Sequence, residues 1–138
     1  MAGTAVPTMM LLVVLTAFVI ARYAFHIPIP IERAIIFPMA LVPNIFGAWN
    51  MFYLWLRPRP HLPIGLHGAS LPFILAPIGL AVATCSGFLT TTSGGLVWFH
   101  EVVIPYTFLM AGFLSALIAY YLVWKYLVSF FNEVLGIA

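Results

Sequence analysis

Charge is the scarcest resource in this chain. It contains no aspartate, and its acidic residues are Glu32, Glu101 and Glu133. With Lys and Arg included, charged residues make up 6% of 138 positions, against roughly 25% in a soluble domain. A water-wetted surface cannot be assembled from that set, which removes the soluble globular classes. The net charge of +2 is spread too thinly to form a basic patch, so nucleic acid is not an expected partner. No nucleophile–base pair and no metal-ligand spacing stands out, which argues against an enzyme and leaves no catalytic or metal-binding residue to name. Cys85 is the single cysteine and lies between Thr84 and Ser86. One cysteine cannot form an internal disulfide, and its expected role is that of a small buried hydrophobe. A cleavable leader is also not expected. The sequence after the first apolar run, Arg22-Tyr23-Ala24-Phe25-His26, is too bulky for a small-x-small cleavage site.

What the chain has instead is four long apolar runs, at about 8–25, 34–56, 70–89 and 102–124. Each is close to the about 17–25 residues with which a helix crosses a bilayer. A backbone in hydrocarbon must satisfy its own hydrogen bonds, and a helix does so. The expected fold is therefore all-α: a polytopic integral membrane protein forming a bundle of four transmembrane helices. One transmembrane domain over 1–138 is expected, because the longest gap, Arg57–Ala69, is too short to fold alone. Beyond Trp124, the residues Lys125, Ser129, Asn132, Glu133 and Gly136 are spaced as a helical polar stripe. The tail 125–138 is thus predicted to be an amphipathic helical extension lying in the headgroup region.

The joints between runs differ in stiffness. Prolines at 28 and 30, and at 58, 60 and 63, make the first two rigid and extended. The third, Thr90–Gly95, reads as flexible through its glycines. Arg57, Arg59 and Lys125 fall on one predicted side and Arg22 and Arg33 on the other. This count favours both termini in the cytoplasm. Tyr53, Trp55, Trp98, Tyr106, Tyr121 and Trp124 fall near run ends, where amphipathic rings settle.

Three groups of residues could carry a role. In the second run Pro43 removes a helical N–H and frees the carbonyl of Met39, with Asn44 beside the break and Asn50 further on. Such a polar intramembrane site binds ligands in transporters with broken helices, or else serves as polar glue between helices. In the fourth run Ala111, Ser115 and Ala119 repeat every four residues, and Gly112 and Ala116 form an adjoining stripe. Small residues at that spacing let helix backbones approach closely. His26 ends the first run and His100 begins the fourth, so the predicted topology puts both on one side. Together they could hold a haem iron, or bind a metal with Glu101. Alternatively both sit among headgroups. His61 and His67, near Arg57 and Arg59, read as an interfacial cluster that meets anionic lipid.

These features lead to a small non-catalytic membrane protein, partnered by the lipid bilayer and by other membrane subunits or its own copies. A small channel or transporter built on the broken second and third runs is the first alternative. A haem- or quinone-associated redox subunit is the second.

Overall fold

The computed structural model describes residues 2–26, 31, 36–58, 62–98 and 102–137. Helix α1 is Ala2–Ala24, α2 Ile36–Leu56, α3 Ile64–Ala69 and α4 Pro72–Cys85. Strands β1 (Leu89–Thr92), β2 (Gly95–Trp98) and β3 (Val102–Pro105) follow, then α5 (Tyr106–Leu122), a π-helical segment Val123–Val128 and α6 (Ser129–Val134). Among the described residues three helices are long and apolar enough to cross a membrane: Gly3–Ala24, Ile64–Cys85 and the 29-residue Tyr106–Val134. Helix α2 has 21 residues.

The all-α expectation omits an antiparallel three-stranded sheet ordered β1-β2-β3. Its register pairs Leu89 with Trp98, and Trp98 with Val102. The local sequence accounts for it. Val102-Val103-Ile104-Pro105 is β-branched and ends in a proline, which disfavours helix in the residue before it. The Thr-rich joint forms the outer strand, and Ser93-Gly94 makes a two-residue turn between Thr92 and Gly95. The fourth apolar run therefore becomes helical at Tyr106, four residues later than its hydropathy starts.

Glycine sets two helix ends. Gly87 has φ +73°, its N–H reaches Thr84 O at 3.1 Å, and the Phe88 N–H reaches Ala83 O at 3.0 Å. Gly136, with φ +66°, repeats the pattern through Gly136 N–Glu133 O and Ile137 N–Asn132 O, both 3.0 Å. Both are Schellman stops, in which a left-handed residue satisfies the last carbonyls. Gly87 ends α4 at Cys85, four residues before the apolar run does.

The chain divides into two compact units, residues 1–61 with 126–138, and residues 62–125. In the first, α1 packs along α2 and also meets α6. The contact is tight because glycines line it. A Cβ on Gly3 would lie 2.7 Å from the Phe46 carbonyl oxygen and 2.8 Å from Asn50 Cβ, and one on Gly47 2.7 Å from Thr4 Cγ2. In the second unit α3 and α4 pack on α5. A Cβ on Gly65 would lie 2.7 Å from the Tyr121 ring, and one on Gly68 would collide with Trp124. Phe73 and Phe113 meet edge to face at 5.2 Å.

These contacts generate a paired expectation. Gly68→Ala drives a methyl into Trp124 and should cost about 1–3 kcal/mol, the range for overpacking a well-filled contact. Gly112→Ala has nothing of its own chain within 4 Å of its new methyl and, in a detergent that separates the chains, should be neutral or stabilising by up to about 1 kcal/mol through helix propensity. Thermal unfolding of both variants in one detergent checks the contrast, and equal effects would dismiss the glycine contact.

Candidate functional site

Hydroxyl groups on the long helices turn back on their own backbones. Thr8 Oγ1 donates to Thr4 O at 2.7 Å, Thr16 Oγ1 to Leu12 O at 2.8 Å, and Ser115 Oγ to Ala111 O at 2.9 Å. Thr84 Oγ1 reaches Leu80 O and Ala81 O, both at 2.9 Å. Asn44 does the same: its Nδ2 donates to Ala40 O at 2.7 Å, and the residue is exposed. Backbone and side chain are thus satisfied within one helix, as hydrocarbon requires. α2 continues as a helix through Pro43.

Asn50 behaves differently. It is 3% exposed, and Asn132 on α6 is 1% exposed. The two amides pair reciprocally, Asn50 Nδ2 to Asn132 Oδ1 at 2.9 Å and Asn132 Nδ2 to Asn50 Oδ1 at 3.0 Å. Gly3 of α1 lies against Phe46 and Asn50. The helical period places Phe46 and Asn50 four residues apart on one face of α2, and both are buried. This amide pair is the most deeply enclosed polar arrangement in the first unit. Two neutral amides have no nucleophile or titrating group to offer. What they can do is fix register, since sliding α6 by one residue would strand both amides in an apolar contact.

In the second unit His67 is buried, and its ring meets Trp124 edge to face at 5.8 Å. Trp124 itself is fully buried. Packing on the glycine face of α3 encloses both. Lys125 lies over the Tyr121 ring at 5.6 Å, and Arg22 over the Tyr23 ring at 5.8 Å, contacts that steady a cation beside an aromatic face.

The remaining sequence candidates are dispersed. His26 follows α1 in a left-handed conformation, φ +55°, and marks the stop of that helix. His100 and Glu101, like His61, lie outside the described residues, so the proposed haem or metal pairing with His26 falls there too. Among the described residues no three His, Cys, Asp or Glu side chains gather into a metal-binding group. Cys85 is exposed at the end of α4. Ala111, Gly112, Ser115 and Ala119 are exposed on α5, and Ala116 is half-buried. A shallow groove on α1, lined by Leu12, Val13, Thr16, Ala17 and Ile20, offers one polar group, and that hydroxyl is engaged with Leu12 O. Asn50 is a polar position of the second run and Asn132 one of the tail's polar stripe, but their pairing is not evident from sequence. The two stand 82 positions apart, and no spacing rule links them.

Comparison of the chain with family models, with curated proteins and with solved structures yields no match.

Two sets of substitutions follow from this geometry. Asn50→Ala and Asn132→Ala should each cost about 1–3 kcal/mol, because each strands a buried amide. The double variant should cost clearly less than their sum, the mark of a direct pair. Strict additivity in denaturant or thermal unfolding would break the pairing. Asn44→Ala should change stability by no more than about 0.5 kcal/mol, as for an exposed side chain with only a local bond.

Proposed function

We propose that the protein is a small non-catalytic integral membrane subunit that works by assembling with other membrane chains, its own copies included. In this reading α2 is the fourth span. Its 21 residues give a helix of about 31 Å, matched to a hydrocarbon core of about 30 Å. The four helical stretches then form the transmembrane domain, with both termini on the cytoplasmic side.

The observation that carries this reading is the uncovered face of α5. None of its 17 residues is buried, and Gly112 has open space around it. Association in lipid gains little from apolarity alone, because lipid tails are as apolar as leucine. It gains from small residues that let backbones approach. Ala111, Gly112, Ser115 and Ala119 supply such a surface, and Ser115 has already satisfied its hydroxyl on Ala111 O.

The transport reading draws less support. Asn44 spends its amide on Ala40 O, and the Asn50 and Asn132 amides spend theirs on each other. Neither arrangement leaves a convergent set of groups for an ion or solute.

Assembly in native membranes tests the proposal. Ser115→Leu should shift the protein from an assembled to a smaller species on native gels, with association weakened at least about tenfold, or about 1.4 kcal/mol. Leu114→Phe, on the neighbouring face, should leave the assembled fraction unchanged. A protein that runs as a lone chain in mild detergent, and is never crosslinked in membranes through a cysteine at position 112, would overturn the reading.

A further inference from the structure

We propose that the three-stranded sheet is a membrane-surface element, which lays one face on the lipid headgroup boundary and turns the other to water. The inference rests on the reading that α4 and α5 cross the bilayer.

Three constraints fix its depth. The first is tethering. Three residues separate Cys85 at the end of α4 from Leu89 at the start of β1, and β3 runs directly into α5 at Tyr106. At about 3.3–3.6 Å per extended residue, the sheet cannot leave the surface at which those helices emerge. The second is hydrogen bonding. With the order β1-β2-β3, the outer strands each have one ladder edge unpaired in the sheet. Open edges are not tolerated in hydrocarbon, where no water can meet them. The sheet therefore stays out of the bilayer core.

The third constraint is the chemistry of the two faces, which the register defines because directly paired residues share a side. Leu89, Trp98 and Val102 form one row, and Thr91, Leu96 and Ile104 form the next row on the same face. The opposite face carries Thr90, Val97 and Val103, then Thr92, Gly95 and Pro105. The first face holds the larger apolar side chains, and it holds Trp98, the sheet's one tryptophan. Trp98 is 44% exposed and its partner Val102 59% exposed. A tryptophan with an apolar neighbour, on a sheet bound to the surface, has the amphipathic character that settles at headgroup depth. The other face places two threonines on the outer strand: Thr90 is exposed, and Thr92 Oγ1 donates to Gly95 O at 2.9 Å across the turn. The Tyr106 hydroxyl donates to Thr92 O at 2.8 Å, which ties the first turn of α5 to the sheet.

Spin labels on adjacent residues test this, because neighbours in a strand point to opposite faces. In a Cys85→Ala background reconstituted into phosphatidylcholine vesicles, cysteines replace Thr90, Thr91, Val102 and Val103 one at a time. A label at Met110, exposed on α5, reports whether that helix lies in lipid. Oxygen accessibility relative to a water-soluble nickel chelate should be several-fold higher at 91 and 102 than at 90 and 103, and highest at 110. A lipid-exposed label at 110 without alternation between neighbours overturns the sheet proposal and leaves the spans standing. Exclusion of both reagents at 91 and 102 overturns it in favour of a protein partner on that face. A water-exposed label at 110 removes the spans and the proposal together.

Discussion

Close approach of helix backbones is the condition on which the packing here depends. Where apolar side chains face lipid as readily as each other, burial of hydrocarbon cannot by itself tell one helix pairing from another. What distinguishes a pairing is contact distance, and glycine sets it. Gly3 against Phe46 and Asn50, and Gly47 against Thr4, bring α1 onto α2. Gly65 and Gly68 do the same for α3 against Tyr121 and Trp124. The largest fully buried side chain and the smallest residues of its facing helix are thus one feature. Trp124 is fully buried because Gly68 leaves room for it.

That constraint also explains how polar groups are used. Hydroxyls along the long helices return to carbonyls of their own turn, so they ask nothing of a neighbour and say nothing about one. The glycine stops at 87 and 136 satisfy the ends of α4 and α6 in the same self-contained way. Against that background the Asn50–Asn132 pair is a buried polar contact that joins two distant segments. Its worth in free energy is modest, since interhelical hydrogen bonds in membranes average about 0.6 kcal/mol. Its worth in selectivity is larger, because a mismatched register leaves two amides unsatisfied instead of one pair made.

The helices themselves were legible in the sequence, for a physical reason: with so little charge, hydropathy alone marks where water ends. The first run and the core of the second, third and fourth coincide with α1, α2, α4 and α5. Their ends were less legible, since hydropathy does not register backbone conformation. Gly87 stops α4 inside an apolar run, and Val102–Pro105 opens an apolar run as a strand. Both signals are in the sequence, one as a glycine at a helix end and one as a β-branched cluster before proline, but an apolar window averages over them. The π-helical segment Val123–Val128 contains neither proline nor glycine, and no local pattern announces it. The Asn50–Asn132 pair was illegible for another reason. Each residue was visible as a polar position, but their meeting depends on how α6 lies against α2, and that is set by packing.

The two kinds of polar arrangement bear on the proposed role. A protein that moves a solute needs polar groups left over, convergent and unsatisfied until the ligand arrives. A redox subunit needs ligands held toward a common centre. On the described helices the polar side chains with defined bonds are engaged on their own turn, in the one Asn50–Asn132 pair, or, for Tyr106, on the sheet. What is left unspent is surface: a helix of 17 residues with none buried and a line of small side chains along it. Small residues exact a cost in a lone helix, since glycine at 112 disfavours helix by about 1 kcal/mol relative to alanine. That cost would be offset where another backbone comes close enough to use the space, which is how the proposed assembly would use this face.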